Sequence, residues 1–154
     1  MSVEEDATAE AVSAREIVSA RVFEAPRARL FEAFSDPDQL VHWWGPEGFA
    51  NTFHEFDMKP GGKWRFVMHG PDGSDYRNES VFVEILEPER IVVEHVSAPR
   101  FQMSMHLDEQ GRSTKLTWRM LFESAAICEK VKGVVVEANE QNFDRLEIHL
   151  TKMP

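Results

Sequence analysis

At 154 residues, 42% of them hydrophobic and 29% charged, the chain has the size and composition of one ordinary globular domain, neither disordered nor collagen-like and too short for two independent cores. Seventeen basic against 27 acidic residues leave a net charge of −10, and no basic patch offsets it, so nucleic acid is not an expected partner. No run approaches the ~18 apolar residues that a membrane-crossing helix needs, the acidic start does not read as a secretory leader, and a single cysteine, Cys128, excludes an internal disulfide and a multi-thiolate metal site; a cytoplasmic location is the expectation.

Residues 1–14 hold four carboxylates and no basic side chain and read as a disordered acidic tail, which leaves residues 15–152 as the folded domain. Ile17 to Phe23 is β-branched and partly alternating, so it predicts a strand. Pro26 then opens a short helix in which Leu30, Phe31 and Phe34 recur at helical spacing. Asp36 caps a second one with Pro37 at its first position, ending near Trp44, where Gly45-Pro46 stops it. From Phe49 to Phe122, turn signals at Pro60-Gly61-Gly62, Gly70-Pro71-Asp72-Gly73, Glu87-Pro88-Glu89, Ala98-Pro99 and Glu109-Gln110-Gly111 mark off six antiparallel strands.

Alternation within these segments sorts the faces. Trp64, Phe66 and Met68 oppose Lys63, Arg65 and His69; Phe101, Met103, Met105 and Leu107 oppose Gln102, Ser104 and His106. Leu116, Trp118, Met120 and Phe122 oppose Lys115, Thr117 and Arg119. Between Phe49 and Met58 the parity conflicts, since Phe49 and Phe53 oppose Phe56 and Met58, and both a bulge and two-sided burial stay open. Ser124 caps a final helix to about Lys152, whose stripe of Val135 or Val136, Asn139, Phe143, Leu146 and Leu150 covers the apolar sheet face. The fold class expected is α+β: a helix-grip, with a curved antiparallel sheet of about seven strands wrapped around a long C-terminal helix and two short helices after the first strand.

Several stretches carry a family likeness: Ala25-Pro26, Phe34-Ser35-Asp36-Pro37 through Leu40, His42-Trp43-Trp44-Gly45-Pro46, Asp57 to Trp64, Glu84 to Arg90, and Phe143-Asp144-Arg145-Leu146-Glu147. In these the chain resembles the SRPBCC superfamily, also called START-like or birch-pollen-allergen-like. Within it, the chain is similar to bacterial proteins related to the C-terminal domain of the activator of the heat-shock-90 chaperone ATPase. The resemblance implies the helix-grip fold and a small, mostly apolar ligand held between sheet and helix.

The candidate ligand-binding residues are therefore Trp43, Trp44, Trp64, Phe66, Met68, Met103, Met105, Trp118, Met120 and Phe143, which parity or helical spacing turns inward. A plain packed core uses the same residue types, but a wall rich in Met and Trp suits an adaptable cavity better than a rigid core. His95, inward with Ile91 and Val93, and Asn139, the one polar side chain assigned to the buried helix stripe, are added as polar candidates. A histidine satisfied by a backbone carbonyl is the plainer reading of His95. Tyr76 has an undecided direction, and Asp57 is expected to anchor its turn through backbone N–H groups.

No catalytic residue is assigned. Cys128 has no patterned base beside it and reads as an inert surface or half-buried thiol; the six histidines show no metal-ligand spacing, and no cofactor or metal is expected. The leading expectation is binding of a small hydrophobic or aromatic molecule, as a carrier, sensor or sequestering module without covalent chemistry. Two alternatives stay open: cyclase-, aromatase- or hydrolase-like chemistry in the same cavity, and a protein-binding module. The latter would dock Lys63, Arg65, Lys115 and Arg119 on an acidic surface such as a chaperone's; self-association is a further open partner.

Overall fold

A computed structural model describes residues 11–153, so the greater part of the acidic tail lies outside the described residues. Its last residues belong to one helical turn, α1 (Val12–Arg15), which runs into strand β1 (Glu16–Phe23). Helices α2 (Arg27–Ser35) and α3 (Pro37–Trp43) follow, then β2 (Ala50–Phe56), β3 (Lys63–His69), β4 (Asp75–Leu86), β5 (Arg90–His95), β6 (Phe101–Gln110), β7 (Ser113–Phe122) and α4 (Ala125–Lys152). The predicted caps are in place. Asp36 accepts from the Asp38 N–H at 2.9 Å with Pro37 at the first position of α3, and the Ser124 hydroxyl accepts from the Ile127 N–H at 3.2 Å at the start of α4.

The strands form one seven-stranded sheet in the order β1-β7-β6-β5-β4-β3-β2, every pair antiparallel. Turn-linked neighbours pair in succession, and β1, separated from β7 by most of the chain, closes the far edge. The conflict of parity in β2 is resolved by a register shift between Phe53 and Glu55. Because one extra residue is accommodated there, Phe53 pairs with Phe66 and Phe56 with Trp64, so both rings reach the inner face and stack on each other at 5.9 Å.

Helix α4 lies over the inner face and buries Phe143, Leu146 and Leu150 against it, with Val135 half-buried and Val136 exposed. Two further side chains share the buried stripe: Cys128, which is a core residue and not the surface or half-buried thiol expected, and Asn142. Arg21 of β1 clamps the helix to the sheet edge. Its guanidinium pairs with Glu140 at 2.9 Å and Asp144 at 2.8 Å and lies 5.4 Å from the Phe143 ring centre. In the β2–β3 turn the Asp57 carboxylate pairs with Lys59 at 3.5 Å, and it is the Asp57 main-chain carbonyl, not the side chain, that receives a turn N–H, from Lys59.

Candidate functional site

The site is built on the segment that leaves α3. Trp44 ends the helix with an extended backbone and Gly45 follows at φ +99°, a left-handed conformation that suits glycine. A chain turning this sharply against the interior has backbone polar groups to satisfy, and α4 supplies the partners. Arg145 Nη1 donates to the carbonyls of Trp44, Gly45 and Pro46 at 3.1, 3.0 and 3.0 Å, and Nη2 donates to that of His42 at 2.8 Å. Asn142 donates to the Trp43 carbonyl at 2.8 Å and accepts from the Gly45 N–H at 3.1 Å; Asn51 adds a donor to the Trp44 carbonyl at 2.8 Å. The loop is thereby tied to α4, and beside it a space stays open between α4 and the sheet.

That space is a cavity of about 570 Å³, bounded by the Trp44–Pro46 loop, the inner faces of β3 to β7, the β5–β6 loop and the middle of α4. Trp44, Trp64 and Trp118 form its aromatic wall: Trp44 stacks on Trp118 with ring centres 5.2 Å apart and packs against Trp64 at 5.0 Å. Phe66, Met68, Met103 and Met120 continue the apolar lining, and His95 and Asn139 are also on it. The rim is formed by the exposed Asp75, Tyr76, Arg77, Ala98 and Pro99. Tyr76 thus sits at the entrance, its ring 6.0 Å from that of Phe49.

The remaining sequence candidates lie elsewhere. Trp43 donates its indole N–H to the Ala33 carbonyl at 3.0 Å and packs edge-on against Phe34 at 4.9 Å, which fixes α3 on α2. Met105 is 2% exposed and lies deeper, in the packed region with Phe34, Leu40 and Ile91. Phe143 is fully buried between Phe23 at 5.8 Å and Trp118 at 5.6 Å, behind the wall.

The polar groups of the lining are mostly engaged. His95 Nδ1 lies 3.0 Å from the Pro99 carbonyl oxygen and Nε2 lies 2.8 Å from Asn78 Oδ1 and 3.3 Å from the Ser97 hydroxyl, so both ring nitrogens face protein oxygens; the Asn78 amide is oriented by its own donation to the Tyr76 carbonyl at 3.0 Å. Its ring stacks on Phe101 at 4.5 Å. Burial pushes the His95 pKa below the usual 6.5, against the opposing pull of the Pro99 and Ser97 backbone and of Glu94. Trp64 and Trp118 are each 2% exposed, and their indole N–H groups have no acceptor. Among the described residues no three His, Cys, Asp or Glu side chains gather where they could hold a metal ion, and no helix is long and apolar enough to cross a membrane.

Asn142, Asn78, Ser80 and Arg145 were not among the sequence candidates. Asn142 follows Asn139 by three positions and was legible as its neighbour on the stripe. Ser80 could be read only from its register with Trp64 and His95, and no spacing rule announces that Arg145 reaches four carbonyls 99 to 103 residues away. On the outer sheet face, Arg65 lies 3.4 Å from Glu55 and Arg119 3.3 Å from Glu16, so two of the four cations considered for docking have acidic partners within this chain.

The fold is shared with solved proteins. One from Arthrobacter aurescens superposes with a TM-score of 0.85 at 24% identity, covering 94% of this chain and 91% of that one. One from Nitrosomonas europaea gives 0.84 at 17% identity over 91% and 96%, and the AHSA1 protein of Silicibacter pomeroyi gives 0.72 at 18% over 88% and 97%. At these identities the likeness is one of fold. None of the curated proteins compared matches the chain. The family model for Activator of Hsp90 ATPase homolog 1-like protein matches residues 24–151, a span that runs from the end of β1 through α4, and the chain belongs to that family.

Proposed function

We propose that the protein binds a small apolar or aromatic molecule in the cavity between sheet and C-terminal helix, as a carrier, sensor or sequestering module that performs no covalent chemistry on it. The observation that carries this reading is an open space of about 570 Å³ walled by Trp44, Trp64, Phe66, Met103, Trp118 and Met120, in a size class of roughly 300–1,000 Å³ typical of small-molecule sites. Its rings supply flat surfaces for stacking, and its methionines adapt to guests of different outline. Burying ~200 Å² of apolar ligand surface contributes ~5 kcal/mol before the cost of association. His95, the acid or base that a reaction would call on, has both ring nitrogens within hydrogen-bonding distance of protein groups, which favours binding over catalysis.

The test is native mass spectrometry of the freshly purified protein followed by a thermal-shift screen of apolar metabolites. The expected result is a retained adduct, or a ligand that raises the melting temperature in wild type and loses that effect in a Met120→Trp variant that fills the space. A screen in which no apolar compound shifts wild type, with no adduct retained, refutes the reading.

A further inference from the structure

Asn139 is 6% exposed, on the cavity side of α4, and its amide is only half used. Nδ2 donates to the Ser19 hydroxyl at 3.2 Å and to the Met120 sulfur at 3.6 Å. A thioether sulfur only accepts, which fixes the amide's orientation: the nitrogen faces Met120, and the carbonyl oxygen is turned to the other side. That oxygen receives no hydrogen bond from any of the described residues. It is not sealed in either, unlike Asn51 Oδ1 and the Trp64 and Trp118 indole nitrogens, so it meets accessible space. Ser80, 2% exposed and on the same lining, likewise has a hydroxyl that is not sealed and has no partner among the described residues.

The charge of the lining narrows the ligand further. Its formal charges are Asp75 and Arg77, one of each sign and both exposed at the rim, and His95 has both ring nitrogens turned to protein oxygens. The interior therefore offers a carboxylate no cation that is free of protein partners and an amine no anion, and a charged head drawn inside would lose its hydration without recompense. A neutral molecule avoids that loss. What the interior does offer is an unused carbonyl acceptor on α4 and an unused hydroxyl on β4, set in walls of indole, phenyl and thioether. An apolar guest that ignored them would leave a buried carbonyl oxygen without a donor.

Resting on the cavity-binding reading above, we infer that the ligand is a neutral aromatic alcohol, a phenol or naphthol in class, whose hydroxyl donates to the Asn139 carbonyl oxygen. Asn139 is thereby the residue that decides between hydroxylated and plain aromatic guests, and Ser80 serves a second polar substituent.

Isothermal titration of the full-length protein with four probes of one skeleton tests this: 2-naphthol, 2-methoxynaphthalene, naphthalene and 2-naphthoate. The methoxy compound keeps the oxygen but cannot donate. The expected order places 2-naphthol about tenfold tighter than both 2-methoxynaphthalene and naphthalene, with 2-naphthoate weakest. In Asn139→Leu, checked for folding by circular dichroism, the advantage of 2-naphthol over naphthalene should disappear while naphthalene binding is kept. Equal affinity of 2-naphthol and 2-methoxynaphthalene in wild type overturns the inference without any variant, and so does a naphthol advantage that survives in Asn139→Leu. Tightest binding of 2-naphthoate overturns it in favour of an anion held at Arg77. In each of these outcomes the cavity-binding reading stands; if none of the four probes binds, the inference is overturned, and the cavity-binding reading fails only if the apolar screen and the native mass spectrum are empty as well.

Discussion

Arg145 joins the C-terminal helix to the loop that forms one cavity wall, and its replacement by methionine isolates that contribution. The side chain reaches four main-chain carbonyls, those of His42, Trp44, Gly45 and Pro46, between 2.8 and 3.1 Å. No carboxylate pairs with it among the described residues, and burial alone lowers its pKa, so carbonyl dipoles are what hold the charge in place. Hydrogen bonds to a charged group contribute ~1.5–3 kcal/mol each where buried, but the His42 contact is exposed and the Trp44 carbonyl keeps its bond from Asn51. The expected loss for Arg145→Met is therefore about 2–4 kcal/mol, read as a fall in melting temperature of about 5–15 °C for a domain of this size. Urea titration followed by tryptophan emission reports it directly, because Trp43 and Trp44 flank the loop. Arg145→Lys supplies a point charge without the planar fork and should recover about half of the loss. A loss under about 1 kcal/mol in the methionine variant, or full stability in the lysine one, would refute the claim that the fork positions this wall.

Two further perturbations follow from the same geometry. His95 is held below its usual 6.5 by burial, so between its lowered folded value and 6.5 the unfolded chain binds a proton that the fold does not. Stability should thus be full above 6.5 and fall as the pH drops toward the folded value. His95→Gln should flatten that fall without abolishing it, since burial also lowers His106 and His149, and an unchanged pH slope would count against the assignment. In the β2–β3 turn, a methyl at Gly62 would sit 1.9 Å from the Asp57 carbonyl oxygen, whereas Gly61 at φ +84° meets nothing within 4 Å. Gly62→Ala should cost ~2–4 kcal/mol and Gly61→Ala about 1 kcal/mol, both from denaturation midpoints; equal costs would mean that the turn yields and that the close approach is not a constraint.

The fold was legible because its signals are local: two-residue alternation, turn residues between strands, and caps at Asp36 and Ser124 each act within a few positions. The site was legible only in part, and the failures have one geometric origin. Parity says which side of a sheet a residue faces, not how far along the interior it lies, so Met105 and Met103 look alike although one is packed and the other lines the cavity. Helical phase likewise turned Phe143 inward, but only its contacts with Phe23 and Trp118 show that it stands behind the wall. Trp43 and Trp44 diverge because the helix ends between them, and a boundary of one residue is finer than capping signals resolve. Arg145 was beyond reach, since its partners are set by tertiary approach and not by spacing.

A void in a protein core can be mere imperfect packing, and the distribution of space within this molecule argues otherwise. The Trp44 and Trp64 rings divide the interior. Beyond them, the space enclosed by Phe34, Leu40, Phe56, Phe82 and Met105 is about 10 Å³, no more than a single water needs. On the other side of the same two rings the cavity opens to about 570 Å³. One aromatic layer is thus packed on one side and open on the other, and the open side is the one whose loop is pinned to the helix by Arg145 and Asn142. Movement of Gly45 and Pro46 into the space would strip their carbonyls of the Arg145 donor, and an unpaired buried carbonyl costs ~1–3 kcal/mol. The hydrogen bonds that Arg145 and Asn142 make with this loop therefore oppose its movement into the space.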